Sequence, residues 1–197
     1  MMFAPQAPLR MKPLLLALLF LLAGCGVGVT GTTGASLSAP PPDGTYNDTD
    51  VMFLQMAVPQ HRQGIEMARL AEKRASRKEI RELAKAIRVT QEDEVRQMRT
   101  WLTRWDQPIA PDLDPAAHTG HGGMHGTDPA VLQVLRDTPP GPDFDKWFLT
   151  LLTGHQHGAV ELARMEEKDG YNKDARALAG RIIASRTAEI EQLGSYL

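Results

Sequence analysis

The chain has 197 residues, 42% of them hydrophobic, and a formal net charge of −2; this suffices for one domain with a modest core and is not the composition of a nucleic-acid binder. Acidic and basic residues are mixed rather than blocked, so no polyanion-binding patch stands out. The single cysteine excludes an internal disulfide framework and a thiolate metal cluster.

At the N-terminus, Arg10 and Lys12 precede an apolar run from Pro13 to Ala23, followed by LAGC at Leu22 to Cys25. A basic region, a short apolar stretch and small residues describe a secretory leader over residues 1–24. The run falls short of the roughly 20 apolar residues a spanning helix needs. LAGC is similar to the bacterial lipobox, whose cysteine is acylated, so Cys25 is the expected lipidation site. The plainer alternative is an ordinary leader cut nearby, leaving a free thiol. In either case the mature protein is expected outside the cytoplasm, and with the lipid it is anchored in the periplasm or on the outer surface of a bacterium. Residues 25–45 are rich in Gly, Ser, Thr and Pro without hydrophobic periodicity, and read as a flexible tether. Loss of the leader leaves 20 basic against 24 acidic residues, so membrane attachment is expected through lipid and not through charge.

Residues 46–197 carry helical periodicity. Thr49 or Asp50 can cap a first helix running to about Arg74, and Ser76-Arg-Lys-Glu79 reads as a capping box opening a second helix to about Trp105. Residues 106–142 form a connector: Asp106 to Thr127 is a Pro/Gly/His-rich loop, and Asp128 to Arg136 a short helix. Asp143 is the expected cap of the next long helix, Gly170 fits a C-terminal cap, and Asn172 starts the last helix. An offset of 95 residues aligns the two halves, about 49–105 and 143–197, without a gap, giving 16 identities over positions 50–102. Asp50 meets Asp145, Phe53 meets Phe148, and Glu94 meets Glu189. Duplication is the better account. The predicted fold is therefore all-α: a four-helix bundle of two antiparallel helical hairpins with a Gly/His-rich connector.

At 100° per residue, the inward stripe of the first helix centres near Gln60 and that of the third long helix on His155. His157 faces water, while His61 and Gln156 lie at the stripe edges. In the second helix Glu94 falls inside the stripe, and Glu189 holds the equivalent place in the last. A buried carboxylate is costly unless it is paired, hydrogen-bonded or on a metal. Counting from the hairpin turns brings Gln60, Gln91, Glu94, His155, Arg186 and Glu189 to one level. Two readings follow. His155, Glu94, Glu189 and His61 could form a metal site between facing helices, or Arg186 could reach Glu94 or Glu189 and make a buried ion-pair network. A second candidate site is the connector, where His118, His121, Met124 and His125 supply three imidazoles and a thioether suited to Cu(I), Cu(II) or Ni(II); the alternative is a solvated linker. Met52, Met56 and Met67 read as core filler, and Glu66 and Glu161 as surface charges. No phosphate loop, nucleophile elbow or zinc helix is present in the sequence.

Two motifs at the duplicate spacing carry a family resemblance. Asp50, Phe53, Met56, Pro59, Gln60 and His61 resemble D-x-x-F-x-x-M-x-x-P-H-H, and Phe148, Leu149, His155, Gly158 and Ala159 resemble F-L-x-x-M-x-x-H-H-x-G-A, both of the family designated domain of unknown function 305. The resemblance covers about residues 46–197. It implies a ferritin-like four-helix bundle, secreted or lipid-anchored, with copper binding or tolerance associated with some members. Each His-His pair has lost one member here, to Gln60 and to Gln156, and Leu152 stands at a methionine position. Amides are poor ligands for metals that imidazole binds well, which puts the core site in doubt. The expected function is non-catalytic binding or buffering of a transition metal, copper before others, captured by the connector. One alternative is a structural or partner-binding envelope protein, homo-oligomers included, whose layer is held by Arg186 and which carries no metal. Another is a ferritin-like oxidoreductase of the di-iron type, but such sites want four carboxylates and two histidines where this layer offers two and one.

Overall fold

The computed structural model describes residues 44–109 and 126–197. Their regular structure is helical throughout: α1 (Asp48–Arg74), α2 (Lys78–Arg104), α3 (Pro129–Asp137), α4 (Pro142–Asp169) and α5 (Lys173–Gly194). The α1–α2 and α4–α5 hairpins pack against each other mainly through α1 and α4, making a four-helix bundle with α3 laid on α1 and α4. None of these helices is long and apolar enough to cross a membrane.

The helix starts show where local signals yield to tertiary partners. Asn47, just upstream of the expected cap, is the N-cap of α1 and closes a capping box with Asp50. The predicted Ser76 box does not form: the N-cap of α2 is Arg77, whose side chain makes no capping hydrogen bond. Ser76 instead gives its hydroxyl and its backbone N–H (2.8 Å) to Asp145 of α4. Asp50, the duplicate of Asp145, accepts the N–H groups of Tyr171 (3.1 Å) and Asn172 (2.9 Å) ahead of α5. Each hairpin thus lends an aspartate to the turn of the other. Asp143 does not cap α4; Gly141 does, at φ 141°, a left-handed value that glycine alone adopts without strain. Gly170 ends α4 as expected, but at φ −67°. Its missing Cβ serves instead to admit the Glu166 carboxyl, 2.4 Å from where that carbon would stand. Asn172 caps α5 through the N–H groups of Asp174 and Ala175.

Two hydrophobic clusters fill the bundle. One gathers Phe53, Leu54, Met98, Trp101, Leu178 and Ile182. The other gathers Met67, Ile80, Ile87, Phe144, Phe148 and Leu152. On every long helix buried polar residues stand between these clusters, and they belong to one layer across the core. Met56 and Met67 are buried in the apolar clusters and Met52 packs at their edge, as core filler does.

Candidate functional site: a polar layer and an adjoining groove

Residues from all four long helices meet in the layer. Gln60 of α1 and His155 of α4, 95 positions apart, bond reciprocally: Gln60 Nε2 donates to the His155 carbonyl and His155 Nε2 to the Gln60 carbonyl, each at 3.0 Å. A carbonyl has a second lone pair beyond its helical bond, so neither helix loses a hydrogen bond to this exchange. Within each hairpin a second pair of duplicates repeats one contact: His61 Nε2 lies 3.0 Å from Glu94 Oε2, and Gln156 Nε2 donates to Glu189 Oε2. Arg186 closes the ring. Its guanidinium donates through Nη2 to Glu94 and through Nη1 to Glu189 at 3.1 Å, and Nη1 also reaches Ser185 Oγ at 3.2 Å.

The expected members of the layer are therefore together. His61 and Gln156, read as edge residues, are 1% and 0% exposed, because α2 and α5 cover the edges that a single-helix projection leaves open. His157 is exposed, on the opposite side from the buried His155.

One cation faces two carboxylates in low dielectric, and the protonation pattern follows. Burial alone would raise Glu94, but the His61 hydrogen bond and the Arg186 charge outweigh it and hold the group below the usual carboxylate range. Burial raises Glu189, helped by the neighbouring Glu94 and only partly offset by Arg186. Burial lowers His61 against the opposing pull of Glu94, so a neutral imidazole donates to an ionised carboxylate. His155 is pushed down to about 4 by burial first, then by His61 and Arg186. Gln91, the duplicate of Arg186, has no hydrogen-bond partner for either amide atom among the described residues. It fits because position 64 is glycine: a Cβ there would stand 2.3 Å from Gln91 Oε1.

This donor set does not fit a metal ion. A guanidinium already occupies the position between the two carboxylates, His61 Nε2 is committed to Glu94, and both nitrogens of His155 are bonded. Among the described residues no three His, Cys, Asp or Glu side chains are gathered to hold one. The arrangement is an ion-pair network joining the four helices. The connector residues His118, His121, Met124 and His125, like Cys25, lie outside the described residues.

Beside the layer, α4 and the segment entering α3 enclose an open groove of about 440 Å³, lined among others by Thr127, Gly154, His155, His157, Gly158 and Glu161. Thr127 is held in place by Gln63 of α1, whose amide accepts its N–H (2.8 Å) and donates to its carbonyl (3.0 Å). The Thr127 hydroxyl lies 2.8 Å from His155 Nδ1. Neither Gln63 nor Thr127 is marked in the sequence, since both act by bonding across a long loop. Glu66 forms a two-point pair with Arg136 of α3, at 2.6 and 3.0 Å; it anchors that helix.

The family of domains of unknown function DUF305 matches residues 50–197. A DUF305 protein from Streptomyces coelicolor, described as a candidate secreted protein, is 26% identical with a TM-score of 0.70, over 76% of this chain and 91% of its own. A DUF305 fragment from Deinococcus radiodurans is 25% identical with a TM-score of 0.65, over 80% of this chain and 97% of its own. CopM in its Cu(II)-bound form is 31% identical with a TM-score of 0.61, over 75% of this chain and 94% of its own, and it has also been solved with Cu(I) and with Ag. Curated proteins include no match to this sequence. With the family's motifs at both duplicate positions and its match running from α1 to the C-terminus, the chain belongs to the DUF305 family.

Proposed function

We propose that the protein is an extracytoplasmic, lipid-anchored binder of a transition metal, copper before others, that captures or buffers the ion and catalyses no reaction. The observation that carries this is a contrast between two donor sets. In the core layer every carboxylate answers to Arg186 and both His155 nitrogens are bonded, so the layer asks for no further cation. The connector, in contrast, places His118, His121, Met124 and His125 within eight residues among glycines that let a chain wrap an ion. The likeness to CopM, solved with Cu(I), Cu(II) and Ag, supports copper. Export supports the same role, and the basic-apolar-LAGC segment ending at Cys25 supports a lipid anchor.

The test is metal analysis of the protein purified without chelators, followed by titration with Cu(I) and Cu(II). Tight stoichiometric copper, greatly weakened when His118, His121 and His125 are all replaced by alanine, is the expected result. A wild-type protein that carries no metal and binds copper only at micromolar levels would overturn the proposal. The self-neutralised layer would then favour the second reading, a structural or partner-binding envelope protein.

A further inference from the structure

The outer face of α4 carries a charge pattern that is complementary to itself. Asp143, Lys146, Thr150, His157, Glu161 and Arg164 follow one another at helical spacings on one stripe, and all six are exposed. Asp143 and Arg164 stand equally far from the point between Thr153 and Gly154; so do Lys146 and Glu161, and so do Thr150 and His157. Turned end for end about that point, the stripe sets each acid opposite a base. The centre of the face is open. Nothing beyond its own helix stands within 4 Å of where a Cβ on Gly154 would be, so another backbone can come close, and Gly158 continues the groove. On the same face stands Trp147, 45% exposed in a chain whose other two tryptophans are buried. A large ring left in water beside an open groove marks a contact surface.

We propose that this face docks a second copy of the chain, the two α4 helices packing antiparallel about a two-fold axis beside Gly154. An isologous contact needs a surface complementary to itself, and the charges of α4 meet that condition. The dimer closes two Asp143–Arg164 and two Lys146–Glu161 pairs along roughly 30 Å of helix, at 1.5 Å per residue. Exposed pairs add little affinity, but they fix orientation and register. A parallel pairing in register would set like charges opposite each other. Affinity comes from Trp147, which falls between Gly158 and Glu161 of the other copy, both lining its groove, and does so twice per dimer. The buried layer takes no part, and the inference stands apart from the metal-binding function proposed above.

Sedimentation equilibrium of the full chain, in density-matched detergent, measures the association, and disulfide trapping locates it. Wild type should form a dimer that weakens as salt is raised. Trp147→Ala should weaken it on the order of a hundredfold, since an aromatic anchor is lost from both copies. Lys146→Glu sets two acids opposite each other and should favour the monomer. The exchange Lys146→Glu/Glu161→Lys restores opposite signs and should recover the dimer. The substituted residues are exposed, so these variants keep the fold. Gly154→Cys, beside the two-fold, should link to its own copy under mild oxidation, with wild type, whose one cysteine is Cys25, as the control. A wild-type chain that is monomeric at roughly 100 μM, where even weak specific dimers are populated, overturns the proposal, and so does a dimer indifferent to Trp147→Ala. A dimer lost in Lys146→Glu and not recovered by the exchange, or one in which Gly154→Cys does not link, overturns the antiparallel pairing.

Discussion

Replacing Arg186 by methionine tests whether the layer is an ion-pair network. The arginine is fully buried and donates to both Glu94 and Glu189. Methionine fills much of the same volume but supplies no charge, leaving two acidic groups in a region where the wild-type protein has a neutralising cation. Breaking a buried pair from one side costs about 3–5 kcal/mol. At about 2–4 °C per kcal/mol for a domain of this size, the melting temperature of the metal-free protein should fall by roughly 10–15 °C. The loss should depend on pH in a known direction. Glu94 has a lowered pKa in the wild-type fold, so it contributes stability that is present above its unfolded value, about 4.3, and is lost as pH falls through the folded one. Without Arg186 that contribution disappears and burial raises the group, so the difference between variant and wild type should be large at pH 7.5 and shrink toward pH 4. Urea denaturation of both proteins at pH 7.5, 6 and 4.5, in the presence of a chelator, reads this directly. A variant as stable as wild type at pH 7.5 would mean that the glutamates do not depend on Arg186, and the description of the layer would be wrong.

Two further outcomes follow from single buried groups. Gln91→Met should stabilise the protein by about 1 kcal/mol in the same denaturation experiment, since it removes a buried amide without partners among the described residues and keeps its shape; a loss of that size would show that the amide is satisfied. Glu166 is fully buried, and burial, with Asp50 beside it, pushes its pKa up to about 9. The native state therefore holds a proton that the unfolded chain releases near pH 4.3, and this stabilising contribution fades as pH rises toward 9, at about 1.4 kcal/mol per unit. Glu166→Gln should flatten the stability profile between about pH 5 and 9 and leave the variant the more stable protein at pH 8. An unchanged slope would place Glu166 in water.

The helices, the hairpin pairing and the inward turn of His155 against the outward turn of His157 were legible because each depends on periodicity along one segment, and periodicity records which side of a helix meets apolar neighbours. The composition of the layer was legible because an offset of 95 residues carries every inward position of one hairpin onto the other. What periodicity cannot record is competition between partners. Ser76 and Glu79 spell a capping box, yet Asp145 arrives from α4 with a full carboxylate and takes the Ser76 hydroxyl and N–H. His61 and Gln156 sit at the edge of a projected helix, and only the approach of α2 and α5 buries them. Glu166 stands where the first half has Ala71, and nothing local announces that the missing Cβ of Gly170 leaves room for its carboxyl.

The departure from symmetry within the layer is itself a physical argument about the site. Three of its four duplicate pairs exchange like for like or imidazole for amide: Glu94 with Glu189, Gln60 with His155, His61 with Gln156. The fourth sets Gln91 against Arg186, and only there does formal charge change. Two converging carboxylates need a cation. A symmetric layer, with neutral side chains at both positions, would have to take that cation from solution. Here one half supplies it covalently on α5, and the other half, with Gly64 opposite Gln91, supplies only room. A guanidinium between the glutamates supplies the positive charge that the two carboxylates require, so the bundle needs no metal ion to hold its four helices together.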